Sequence, residues 1–222
     1  MTYRTPERFR AFSVGKDGDF PLTDDGSFLP PSVAWGVALP RQVHSANVVY
    51  VKDAGRPADT DAVFTDVPGL CVAVKTADCI PILLYANQEH PAVAAVHAGW
   101  RGTVTRIVCR TLEEMRAHGL ITSASDCHAI IGPGISQASF EVGDEVYEAF
   151  EREGFPMKQI AQRREKWHID LREANRWLLE ECGVRDVFVS DVDTKTSPDW
   201  YSARRETIKT GRNYNAIFFL PS

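Results

Sequence analysis

The sequence has no long hydrophobic run. The apolar segment Ile80–Ala86 is seven residues long, whereas a helix crossing a bilayer needs about 20. A membrane-spanning helix is therefore not expected. No apolar stretch follows the opening Met1-Thr2-Tyr3-Arg4-Thr5-Pro6-Glu7-Arg8. A secretory signal peptide is not expected either, and the default compartment is the cytoplasm. Charge of one sign is scarce: 25 Lys and Arg stand against 30 Asp and Glu, for a net charge of −5. Nucleic-acid binding needs a basic face that neutralises phosphates, so that class of partner is not expected. The sequence has no CxxC pair, internal repeat or low-complexity tract. It has five cysteines, at 71, 79, 109, 127 and 182. An odd count in a cytoplasmic chain points to free thiols or metal ligands, not to a disulfide framework.

The 222 residues are 44% hydrophobic and 25% charged, which is a globular composition. No linker is evident, so residues 1–222 read as one domain. The first forty residues are rich in Gly, Pro and Asp, with loop chemistry at Lys16-Asp17-Gly18-Asp19 and Leu29-Pro30-Pro31. Strands are predicted at 48–51, 70–75, 80–86, 92–97, 128–131, 186–190 and 216–220. Several of these are continuous apolar runs, which indicates strands buried on both faces. Thr103 can cap a helix that carries Val104, Ile107, Val108, Leu112 and Met115 and stops near Gly119. A second helix is predicted over 141–153. A third opens at Asp170, runs through Leu171, Ala174, Leu178 and Cys182, and closes at Gly183. The irregular alternation of elements predicts an α+β fold with mixed sheets.

Three segments place metal-type ligands at the edges of apolar strands: Arg41-Gln42-Val43-His44, Thr76-Ala77-Asp78-Cys79 and His97-Ala98-Gly99-Trp100-Arg101-Gly102-Thr103. Two His and one Cys suit zinc and leave a fourth position open. The same atoms allow a Cys79 thiolate with His97 as its base, or a blue-copper set. They also allow a small core cysteine beside two hydrogen-bonded scaffold histidines. Arg101 and the glycine turn ahead of the next helix could hold an anion such as phosphate, or could be a plain strand-to-helix turn. Gly132-Pro133-Gly134 could wall a pocket. Ser202-Ala203-Arg204-Arg205 and Lys209-Thr210-Gly211-Arg212 make a cationic cluster, which is usually a solvated face. If it faces the metal, it would bind anionic substrate groups.

Five motifs occur in order: Gln42-Val43-His44, Asp61-Ala62-Val63-Phe64-Thr65, Thr76-Ala77-Asp78-Cys79-Ile80-Pro81, Val96-His97-Ala98-Gly99-Trp100-Arg101-Gly102, and Gly132-Pro133-Gly134-Ile135 with Phe140-Glu141-Val142-Gly143. Together they resemble the bacterial multicopper polyphenol oxidase (laccase-domain) family, whose members are also described as purine nucleoside phosphorylase and as peptidoglycan editing factor. The resemblance runs from about residue 41 to residue 220. It implies a four-layer α/β/β/α sandwich with mixed sheets, zinc on His44, Cys79 and His97, and a monomer. It also implies phosphorolysis of adenosine, inosine, guanosine or methylthioadenosine, with adenosine deamination alongside. The chain departs from the family in a shortened N-terminal block, at Ser45, at Ala138-Ser139-Phe140 and at Asp193.

On this reading the catalytic candidates are Cys79, His97, His44 and Asp78. Arg101, Gly102 and Arg204 are the candidates for phosphate or substrate binding. Asp78 stands next to a ligand and could support it or carry a proton. The partners are a purine nucleoside and phosphate. Copper fits less well than zinc. A polyphenol oxidase uses about ten His ligands, this chain has six His, and an axial Met could come only from Met1, Met115 or Met157. A cysteine or zinc hydrolase that edits a peptidoglycan precursor is the remaining alternative.

Overall fold

In the computed structural model the described residues are 1–18 and 36–221. The loop expected at Leu29-Pro30-Pro31 lies outside them. The strands are β1 (Phe9–Val14), β2 (Gly36–Ala38), β3 (Val48–Tyr50), β4 (Ala62–Thr65), β5 (Leu70–Thr76), β6 (Ile80–Ala86), β7 (Ala92–Ala98), β8 (Cys127–Ile131), β9 (Glu141–Val142), β10 (Ala161–Arg163), β11 (Trp167–Ile169), β12 (Asp186–Val189) and β13 (Asn213–Phe219). The helices are α1 (Trp100–Val104), α2 (Ile107–Ala117), α3 (Asp144–Arg152), α4 (Met157–Ile160) and α5 (Leu171–Glu181). None is long and apolar enough to cross a membrane.

Two mixed sheets stack face to face. One has six strands in the order β12-β8-β6-β7-β4-β3, and the other has four in the order β1-β13-β5-β2. The strand period of two explains the apolar runs. In β6, Leu83 and Tyr85 point into the core between the sheets with Phe9, Val72, Val74 and Phe219. Their neighbours Ile82 and Leu84 point the other way, onto Ile107, Leu112, Met115 and Leu178 of the helix layer. β6 is thus buried at every residue. The described residues supply three layers of the expected sandwich, in the order helices, six strands, four strands. A small sheet, β10-β11-β9, adjoins the helices.

The predicted strands are present, with shifts of a few residues. β1, β2, β4 and the small sheet were not predicted. Thr103 is not a cap. The helix already starts after Gly99, breaks where Arg106 takes a φ of 59°, and restarts as α2. Thr103 is instead buried and accepts a hydrogen bond from Asn175 Nδ2 at 2.9 Å. The second helix is shorter than predicted because Glu141 and Val142 pair with β11, and Gly143 opens α3. Asp170 does cap α5, accepting from the Glu173 amide at 3.0 Å.

The expectation of free thiols or metal ligands, with no disulfide, needs correction at two cysteines. Cys109 of α2 and Cys182 at the end of α5 form a disulfide, with Cα atoms 6.1 Å apart. These two helices pack side by side on the large sheet, and their 73-residue separation in sequence gives no sign of it. Cys71, Cys79 and Cys127 are free.

Candidate metal centre and cleft

Strand register assembles the site. β6 and β7 form a hairpin in which Pro81 pairs with His97 and Ile80 with Ala98. Cys79 therefore leaves β6 beside the end of β7. β4 pairs with β7 on its other side, which puts Asp61 next to His97, and the His97 amide donates to the Asp61 carbonyl at 2.8 Å. The 41–47 loop then brings His44 in from above. Cys79 Sγ lies 3.9 Å from His44 Nε2, and the donor atoms of His44, Cys79 and His97 all lie within 4.8 Å of one another. Gly99 makes this approach possible. A Cβ there would sit 3.1 Å from Cys79 Sγ and 3.2 Å from the His44 ring.

One buried carboxylate organises two of the three donors. Asp61 is 0% exposed. It accepts from the amides of Val43, His44 and Ser45, from the Ser45 hydroxyl, and from His97 Nδ1 at 2.8 Å. These bonds hold His44 at a φ of 61°, a conformation that a non-glycine residue adopts only when held there. They also place the His97 proton on Nδ1 and leave Nε2 for the cluster. Burial alone would raise the Asp61 carboxyl, but the bonds from His97 and Ser45 outweigh it and hold the carboxyl well below the usual carboxylate range. Burial likewise opposes the Cys79 thiolate, but His97 and His44 win and bring the thiol down to about 6. Burial also opposes the His97 imidazolium, but Cys79 and Asp61 push His97 up to about 9. Cys71 and Cys127 have no such neighbours, and burial pushes each thiol up to about 12.

The donors fit a metal ion. Bonds of about 2.0–2.3 Å to a shared tetrahedral ion put N and S ligands somewhat under 4 Å apart, close to the Cys79–His44 separation. Among the described residues, only these three form such a group, and a tetrahedral ion held by them would have a fourth position for water or substrate.

The cleft holds about 550 Å³ and is lined by His44, Cys79, His97, Asp78, Lys75 and Gln42 on one side and by Ala203, Arg204, Ile208 and Arg212 on the other. Asp78 has a φ of 91°, and both its oxygens are occupied. Oδ1 accepts from the Thr194 hydroxyl and Oδ2 from the Arg204 amide, each at 2.7 Å. It therefore ties the Arg204 loop to the Cys79 turn. Arg204 reaches the Glu141 carbonyl at 2.9 Å and lies over the Phe140 ring. Its neighbour Arg205 turns away and donates to the carbonyls of Thr194, Lys195, Ser197 and Trp200. Arg101 is not on this cleft. Its guanidinium lies 4.3 Å from the Trp100 ring centroid, in a separate depression on the far side of His44. Gly102 is buried, and a Cβ there would meet the Ser45 carbonyl at 3.3 Å. Gly134 packs against the Asp78 and Cys79 carbonyls instead of lining the cleft.

The sequence motifs do not mark Asp61 as an orienting residue, or Lys75 and Gln42 as cleft residues; Arg212 stands in the expected C-terminal cationic cluster, which the structure brings to the cleft. Asp61 stood in a quoted motif, but its role lies in hydrogen bonds. Gln42 likewise stood in a motif without its role being visible, and Lys75 carries no local signal. Two positions that depart from the resembled family meet here: Ser139 donates to Asp193 at 2.6 Å, next to Thr194.

Two imidazoles and a thiol at the mouth of a cationic cleft, with a buried carboxylate bonded to two of them, make a group that could hold a metal ion in a mixed α/β fold. The chain belongs to the multi-copper polyphenol oxidoreductase laccase family, whose model matches residues 31–220. It is 44% identical over 197 residues to a purine nucleoside phosphorylase of Bacteroides thetaiotaomicron, covering 82% of this chain and 72% of that one. It is 38% identical over 198 residues to adenosine deaminase RL5 of an unknown prokaryotic organism, covering 82% and 74%. Among solved structures, Neisseria meningitidis protein NMB0706 superposes with a TM-score of 0.81 at 27% identity, covering 100% of this chain and 99% of that one. These relatives support a nucleoside-processing enzyme.

Proposed function

We propose that the protein is a zinc-dependent purine nucleoside phosphorylase, with adenosine deamination as a second activity of the same site. The observation that carries this reading is the convergence of His44, Cys79 and His97 on a cleft walled by cations. The names of the relatives support it. Two imidazoles, a thiolate and an open position suit zinc. Blue copper uses a weak axial ligand, commonly Met, and no methionine lines the cleft. Met115 is buried in the helix-side core and Met157 packs against it.

Phosphorolysis forms a bond from a phosphate oxygen to ribose C1′ while the C1′–N9 bond breaks. The purine leaves with the electron pair and gains a proton. The site must hold phosphate and nucleoside in line and stabilise charge at both ends. Zinc, when bound, supplies Lewis acidity toward an oxygen of the reactants. The chain's own residues orient the rest. Asp61 fixes the His97 tautomer, and Asp78 fixes the loop that presents Arg204. The HxE and PCxxC signature of zinc nucleobase deaminases is absent, so the deaminase activity rests on similarity to the relative of that name.

Zinc-loaded protein incubated with inosine and phosphate should release hypoxanthine and ribose 1-phosphate in equal amounts. Adenosine without phosphate should yield inosine and ammonia. If inosine, guanosine, adenosine and methylthioadenosine all stay intact with phosphate present, the reading is wrong.

A further inference from the structure

We propose that Lys75, Arg204 and Arg212 form the subsite for inorganic phosphate, and that Arg101 does not. The inference rests on the phosphorylase reading and names where its second substrate sits. All three cations line the cleft that contains Cys79 and His97, whereas Arg101 lies in the other depression. They come from distant segments: Lys75 from β5, and Arg204 and Arg212 from the stretch before β13. The Lys75 backbone is held by a side-chain amide, and the two guanidiniums by backbone carbonyls. Gln42 brackets Lys75, donating Nε2 to its carbonyl at 2.7 Å and accepting its amide at 2.8 Å. Arg212 donates to the carbonyls of Ile208, Thr210 and Gly211. Arg204 donates to the Glu141 carbonyl.

Among the described residues, none of the three forms an ion pair; the lysine and arginine ion pairs involve Lys16, Arg163, Lys166, Arg176 and Arg205. The one carboxylate that lines the cleft is Asp78, which Thr194 and the Arg204 amide already occupy. Burial, with Arg56 and Arg212 nearby, pulls the Lys75 amine below its usual range. Three cations line the cleft against one lining carboxylate, Asp78; like charges gathered in excess repel, and a dianion at their centre offsets that repulsion. A tetrahedral oxyanion also accepts several donors at once, which suits a lysine point charge beside two guanidinium forks. From this place the phosphate stands beside the donor cluster, where phosphorolysis needs it.

The test is calorimetric titration of the zinc-loaded protein with inorganic phosphate at fixed ionic strength. Lys75→Gln and Arg212→Gln should each weaken phosphate binding about tenfold. Arg116→Gln, on the outer face of α2, removes the same charge and should change nothing. Arg212→Lys keeps the charge and should retain most of the affinity, which separates lost charge from a loosened loop. In turnover assays the Lys75 and Arg212 variants should raise KM for phosphate and leave KM for the nucleoside in place. The proposal fails if the wild-type protein binds no phosphate. It also fails if only adenosine 5′-monophosphate binds, or if Arg101→Gln alone abolishes phosphate binding while Lys75→Gln and Arg212→Gln do not. Phosphate binding that depends on the three cations, without nucleoside cleavage, supports the subsite and refutes phosphorolysis.

Discussion

Replacing Asp61 by Asn probes the framework of the metal centre with almost no change of shape. The carboxylate is fully buried and accepts five hydrogen bonds. Oδ2 takes the Val43 amide and both Ser45 donors, and Oδ1 takes the His44 amide and His97 Nδ1. An asparagine must turn its NH2 toward one of these groups. On the Ser45 side it meets two amide donors, and the Ser45 hydroxyl would have to turn from donor to acceptor. On the His97 side it meets the His44 amide and is accepted only if His97 releases its Nδ1 proton. That proton then moves to Nε2, the nitrogen left for the cluster, and blocks it as a ligand. Either way a buried charged acceptor is lost while its donors remain. Breaking such a pair costs about 3–5 kcal/mol, and removing the partner that orients a ligand weakens metal binding about 10–100-fold. Urea unfolding of the metal-free protein at pH 7 and zinc competition against a chromogenic chelator measure the two effects. The carboxyl is depressed in the fold, so its stabilisation is present above its unfolded pKa of about 3.9 and fades as pH falls toward the folded value. Asp61→Asn should therefore flatten the acid limb of the stability curve below about pH 4. A variant within about 1 kcal/mol of wild-type stability, with unchanged zinc affinity, refutes this account of the site.

The depressed Cys79 thiol predicts that alkylation of the metal-free protein by iodoacetamide rises with a midpoint near pH 6, and that zinc protects Cys79; a midpoint at about 8.5, the value of an ordinary thiol, would contradict it. Under denaturing, non-reducing conditions a thiol assay should find three free cysteines, 71, 79 and 127, and five after reduction; five before reduction would remove the Cys109–Cys182 bridge. The raised His97 stabilises the metal-free fold fully below its unfolded pKa of about 6.5, and that contribution should disappear as pH rises through about 9, which urea midpoints across this range will show. Asp78→Ala strands the Thr194 hydroxyl and the Arg204 amide, at about 1–3 kcal/mol for each group, and should raise KM for phosphate while zinc affinity holds.

Much of this was legible because it is periodic or local. The runs in β6 and β7 announced strands buried on two faces, and Asp170 and Gly183 marked the ends of α5. His44, Cys79 and His97 could be named because each stands at the edge of an apolar strand within a distinctive motif. What stayed hidden depends on register and packing. Lys75 reads as one charge at the end of a strand; only the pairing of β5 with β13 and the return of the 203–212 segment turn it toward Arg212. Thr103 looked like a cap because its residue type suits one, but burial against Asn175 overrode that local preference. An odd cysteine count reflects the redox compartment, whereas the Cys109–Cys182 bridge depends on which helices lie side by side.

Asp61 and Asp78 explain why neighbouring carboxylates of the same kind serve different halves of one site. Both are buried, both sit beside a candidate metal ligand in sequence or space, and each has its oxygens filled by the chain itself. Their hydrogen-bond partners do not overlap. Asp61 gathers the His44 loop and His97, whereas Asp78 gathers Thr194 and the Arg204 segment. Two of the candidate metal donors are thus fixed by one carboxylate and part of the cationic wall by the other, with Cys79 between them just before β6. Groups without shared partners act nearly additively. Loss of Asp61 should therefore appear in metal affinity, and loss of Asp78 in anion affinity. A cleft held by a single network would lose both together.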